Sequence, residues 1–123
     1  MAKSFNPDVE FTTLYQLAVD NINEFFTLTQ LGDPKAYQFL DHYLPRYIGL
    51  MNLKIKERVI DKKLIYKLDK LKSFDNLFRL YGKDSSTNNL DKIMVYAEDN
   101  FKLHLYTHKV LGEEQQIDYP GYY

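Results

Sequence analysis

Two imidazoles four residues apart, His104 and His108, are the first residues in this chain whose type and spacing suggest chemistry. On a helix that spacing points both rings the same way, which is the arrangement used by helical metal sites. The surrounding residues do not complete such a site. A zincin-like pair needs Glu directly after the first His, where this chain has Leu105. A di-iron pattern needs Glu three residues before a His, where it has Phe101 and Leu105. The neutral amide of Asn100 lies one turn earlier and is a poor ligand for metals that prefer imidazole. His104 and His108 are therefore candidates for a metal only in a third-ranked reading, and the sequence implies no cofactor.

Other catalytic patterns are missing from the sequence. It has no Gly-rich phosphate loop and no Gly-x-Ser-x-Gly elbow, and the absence of cysteine excludes a thiol nucleophile, a thiolate metal site and disulfides. Glu113 and Glu114 form a carboxylate pair in a segment without helical periodicity, where nothing would shift a pKa or hold a substrate. The expectation is a protein that is not an enzyme.

Charge is sorted along the chain. Arg46 to Lys83 carries eleven Lys and Arg against four acids, whereas residues 1–45 have two basic and six acidic residues and residues 84–123 have three and seven. The net charge is −1 and the pI about 6.3, well below the value above ~9 typical of dedicated nucleic-acid binders. If Leu53 to Leu71 is one helix, a step of about 100° per residue gathers Lys56, Lys63, Lys67 and Lys70 into an arc of roughly 60°. Tyr66 borders that stripe and could stack on an unpaired base. A lysine stripe of this kind would hold phosphates without reading sequence, because bidentate base recognition favours Arg. It could equally be a solvated face compensated by the acidic flanks.

Eleven Tyr and eight Phe are more aromatics than one small core needs. Tyrosine suits interfaces, since it buries a large ring while keeping a polar tip. Tyr37, Tyr43 and Tyr47 cluster with Phe39 and are candidate partner-binding residues. Ile117, Tyr119, Tyr122 and Tyr123 are candidate anchors in an acidic, aromatic C-terminal segment.

These residues must be positioned by helices. Asn6-Pro7 followed by Asp8 and Glu10 is a helix start, and apolar residues at steps of three and four carry a helix from Pro7 to about Leu31, closed by Gly32. Asp33-Pro34 opens a second, short helix expected to stop near Pro45, because the residue before a proline disfavours helical backbone. Pro45 then opens a third helix. No Pro or Gly occurs between Leu50 and Tyr81, so no break is forced there, with Ser73 the expected restart point and Gly82 the end. Lys83 to Asn89 is a polar loop. A last helix is expected from Leu90 to Leu111, closed by Gly112.

The expected architecture is all-α: a single-domain bundle of four to five amphipathic helices over residues 1–112, with a short flexible tail over 113–123. No stretch approaches the ~18 apolar residues of a membrane span, and no apolar leader is visible at the N-terminus, so a cytoplasmic protein without membrane insertion is expected. The leading functional expectation is a protein-interaction module, acting as adaptor, inhibitor or small subunit of a larger assembly, with a protein partner or a homo-oligomer. Sequence-independent nucleic-acid binding through the lysine stripe is the alternative.

Overall fold

A computed structural model describes residues 7–105, all of whose regular structure is helical. Four helices follow one another: α1 (Pro7–Gln30), α2 (Ala36–Glu57), α3 (Lys62–Lys83) and α4 (Thr87–Phe101). The described residues group into two compact units, one ending at Asn76 and the other beginning at Leu77. No helix among them is long and apolar enough to cross a membrane.

In the first unit, α1 begins at Pro7, whose missing N–H costs nothing in the first turn, with Asp8 and Glu10 at the positive end of the helix dipole. It ends where the sequence signal places it. Gly32 adopts φ 77°, its N–H donates to the Thr29 carbonyl (3.0 Å), and the Asp33 N–H donates to the Leu28 carbonyl (2.9 Å). This pair of bonds is a Schellman closure, and the left-handed residue it requires is the reason for glycine at this position. Asp33 Oδ1 then accepts the Lys35 N–H (2.8 Å), turning the chain into α2.

α2 returns antiparallel to α1. The Glu10 carboxylate pairs with Lys54, and Asp8 Oδ1 accepts the backbone N–H of Asp61 (3.3 Å), which fastens the start of α1 to the far end of α2. Phe11, Ala18, Val19, Ile22, Phe25 and Phe26 of α1 are buried, as are Ala36, Leu40, Leu44 and Met51 of α2. Phe26 meets Phe74 of α3 edge to face at 6.3 Å, and Leu68 and Leu71 are also buried. Edge-to-face rings add ~0.5–1.5 kcal/mol to area burial.

Two expected boundaries are corrected. α2 does not stop at Pro45 but carries it in its interior. The proline ring points to solvent, and Leu40, Leu44 and Met51 on the opposite side supply burial that outweighs the missing hydrogen bond. The helix instead breaks at 58–61, in a stretch without Pro or Gly. Arg58 turns extended (φ −138°, ψ 160°), Val59 is exposed, and Ile60 is buried. Asp61 restarts the chain as a cap: its Oδ1 accepts the Lys63 N–H (2.8 Å) and its carbonyl accepts the Leu64 N–H (2.9 Å). Ser73 starts nothing, because α3 runs through it with Leu71 and Phe74 buried on either side.

The second unit contains the end of α3, the turn after it, and α4. Ser86 caps α4, its hydroxyl accepting the Asn89 N–H at 3.2 Å, so the helix begins at Thr87, within the expected polar loop. Asn89 Nδ2 also donates to the Asp84 carbonyl (2.8 Å). Phe78, Ile93, Met94, Ala97 and Phe101 are buried. α4 stops at Phe101 rather than Leu111. Lys102 takes the left-handed conformation (φ 59°, ψ 35°), and Glu98 Oε2 accepts the Leu105 N–H (3.2 Å), holding the chain after the helix end.

Candidate protein-binding face

α2 presents two different long faces. At about 100° per residue, Ala36, Leu40, Leu44 and Met51 fall on one side, and this is the buried face. Tyr43, Arg46, Leu50, Leu53 and Glu57 fall within an arc of about 80° on the neighbouring side. That second side is open: Tyr43 is 36% exposed, Leu50 41% and Leu53 50%. Phe39 falls in the same arc and Tyr47 adjoins it on the side of the core; both are half-buried.

The aromatics on this face order one another. Tyr43 stacks on Tyr47 with 6.4 Å between centroids and 18° between planes, lies 5.3 Å from Phe39, and receives the edge of His42 at 4.7 Å. A ring held by neighbours on both sides has little rotamer freedom left to lose on binding a partner. Towards α1 the face continues into a groove of about 320 Å³ beside Leu50, lined by Val9, Glu10, Thr13, Leu14 and Lys54. Val9 is 58% exposed at its rim.

Of the tyrosines singled out in the sequence, Tyr43 and Tyr47 meet here and Tyr37 does not. Six residues from Tyr43 along one helix, Tyr37 points about 120° away and is half-buried. Ile117, Tyr119, Tyr122 and Tyr123 lie outside the described residues, as do the whole tail, His108 and Gly112. Leu50, Leu53 and Val9 were not singled out from the sequence. The signal for the two leucines was the 3-4-3-4 spacing of Tyr43, Arg46, Leu50, Leu53 and Glu57, which joins Tyr43 to the others only if one helix runs through Pro45.

The lysine stripe is corrected in its geometry. The break at 58–61 places Lys56 on α2 and Lys63, Lys67 and Lys70 on α3, so the four do not share one helix face. The three on α3 still fall within about 60° of arc, but buried Phe74 lies in that arc too, so the row borders the core rather than centring on solvent. Lys67 Nζ sits 4.9 Å above the Tyr15 ring, a cation–π contact inside the first unit. Tyr66 is 69% exposed and shares a shallow depression with Lys62, Ile65 and the acidic Asp69.

The paired-imidazole reading is corrected as well. His104 is exposed and lies beyond the end of α4, outside any helix, so the helical placement on which the pairing with His108 depended is absent at His104. Among the described residues no three His, Cys, Asp or Glu side chains gather closely enough to hold a metal ion. A wider, open groove of about 480 Å³ in the second unit is lined by Leu77, Asp91, Val95, Tyr96 and Asp99 among others. Asp91 and Asp99 are eight residues apart on α4, about 12 Å along the axis, too far to share one ion or one proton.

No protein-family model, curated protein or solved structure matches this chain.

Proposed function

We propose that this chain is a non-enzymatic protein-interaction module of the cytoplasm that engages its partner through the Tyr43–Leu53 face of α2. The observation that carries this reading is the pre-ordered ladder of Phe39, Tyr43 and Tyr47, continued by exposed Leu50 and Leu53. Ordered aromatics beside open aliphatic side chains and a groove form the kind of surface in which interface anchors are found. A groove-forming scaffold of this type suits an adaptor, an inhibitor or a small subunit.

The test is site-specific photo-crosslinking. A benzophenone amino acid replacing Tyr43 or Leu53 should yield discrete covalent adducts in cells producing the protein, while the same group at Gln38 or Gln16 on other exposed positions should not. Equal labelling at all four positions would refute the reading.

Sequence-independent nucleic-acid binding is a second reading, favoured by the shared arc of Lys63, Lys67 and Lys70 beside exposed Tyr66. Anisotropy of labelled single- and double-stranded DNA and RNA decides it. Affinity that falls steeply with salt and is lost in Lys63→Glu/Lys67→Glu supports it, and no binding at low salt removes it.

A further inference from the structure

The open face of α2 is complementary to its own reverse. Counting from the middle of the Met51–Asn52 bond, Leu50 and Leu53 are equidistant, and so are Arg46 and Glu57. All four lie in one arc of about 60°, and Arg46 to Glu57 spans about 16 Å of helix. Laid antiparallel against a copy of itself, such a face places Leu50 opposite Leu53 of the second copy and Arg46 opposite its Glu57. Because the pairing is two-fold, each of these contacts occurs twice.

The charges favour this occupant over a generic apolar helix. Arg46 and Glu57 are exposed, and neither makes an ion pair among the described residues. Glu57 is the last residue of α2, where the negative end of the helix dipole disfavours a carboxylate. Its placement there does nothing for the isolated helix, but it supplies the counter-charge to Arg46 of a second copy. The groove between α1 and α2 opens beside Leu50, so it would receive Leu53 of the second copy between Leu50, Val9 and Leu14. Pro45 and Gly49 fall outside the paired arc and do not obstruct the approach.

We propose that α2 pairs antiparallel with α2 of a second copy of this chain, with two Leu50–Leu53 contacts at the centre flanked by two Arg46–Glu57 ion pairs. The proposal rests on the reading of this face as an interaction surface and names its partner. A contact of about three helical turns is small, so the dimer should form in the micromolar range.

Charge exchange tests it on the full-length protein. Sedimentation equilibrium should give twice the 14.6 kDa of one chain at high concentration. Arg46→Glu and Glu57→Arg should each raise the dissociation constant by about tenfold or more, because each creates two like-charge contacts. The double variant should recover the dimer. An equimolar mixture of the two single variants should also recover it, since the carboxylate replacing Arg46 then meets the guanidinium replacing Glu57, and the native pair also remains across the interface. A change in fold alone cannot produce that rescue, and Glu57→Arg should raise thermal stability at monomeric concentrations while weakening the dimer.

A wild-type protein that stays monomeric at about millimolar concentration overturns the proposal, as does a mixture no tighter than its components. If the protein is monomeric yet a crosslinker at Tyr43 still traps a different protein, the dimer fails and the interaction face stands. If the protein is monomeric and nothing is trapped there, both fail.

Discussion

Replacing Pro45 by alanine should make this protein more stable, by an amount that follows from where the ring sits. Pro45 lies in the interior of α2, nine residues after Ala36, and its ring is exposed. It has no N–H to donate to the Asp41 carbonyl one turn earlier, and its ring crowds that carbonyl. In a helix interior this costs about 3 kcal/mol relative to alanine. Because the ring is exposed, truncating it removes little buried area, so nothing large offsets the gain. Local relaxation of a helix around a proline relieves part of that cost, so about 2 kcal/mol should be recovered. With a urea m-value of roughly 1.5 kcal/mol/M, the midpoint should rise by a little over 1 M. Urea unfolding followed by far-UV circular dichroism measures it, and hydrogen exchange adds a direct readout: the new amide at position 45 should be protected. An unchanged or lowered midpoint would refute the reasoning. It would show that Pro45 helps to set how Leu40 and Leu44 lie relative to Met51, so that its removal costs core packing.

Three further substitutions have defined outcomes. Gly49→Ala should raise stability by about 1 kcal/mol in the same urea experiment, since a Cβ there meets no atom within 4 Å and the site is helical. Combined with Pro45→Ala one turn away, it should fall short of strict additivity. Ser86→Ala should lower stability by about 1 kcal/mol through loss of the cap on the Asn89 N–H, visible as a lower urea midpoint. Lys102→Gly should raise the thermal midpoint by a few degrees. The left-handed backbone at φ 59° costs lysine ~1–2 kcal/mol, and the greater freedom of glycine in the unfolded chain returns only part of that gain.

The all-α class was legible because four helix starts or stops carry strong local chemistry: Pro7 with its acids, Gly32, the turn at Asp33, and the polar stretch Lys83 to Asn89, whose Ser86 turns out to be the cap of α4. The sequence misled where tertiary burial overruled local preference. Pro45 reads as a stop, yet α2 continues through it because Leu44 and Met51 are both fully buried on one face. The opposite error occurred at Arg58–Asp61, where no Pro or Gly marks a break. The chain turns there because Ile60 is buried, Asp61 caps α3, and Asp8 accepts the Asp61 N–H from 53 residues away. No local window contains that last bond. The candidate face was half legible: Tyr43 and Tyr47 stand out by type, while Leu50 and Leu53 join them on one face only once α2 is known to run through Pro45. The expected extension of the last helix through His104 failed for a related reason, since α4 ends in a left-handed lysine that no propensity scale anticipates.

The bond from Asp61 to Asp8 also has a consequence during synthesis. α1 emerges from the ribosome before α2, carrying six apolar side chains that the folded first unit buries. At about 5–20 residues per second, the 53 residues separating the two ends of that bond take roughly 3–11 seconds to be added. Within that interval the α1 side chains Phe11, Ile22, Phe25 and Phe26 stay exposed until Leu40, Leu44 and Met51 of α2 have been added, and the Asp8–Asp61 bond can close only after all of α2 is made.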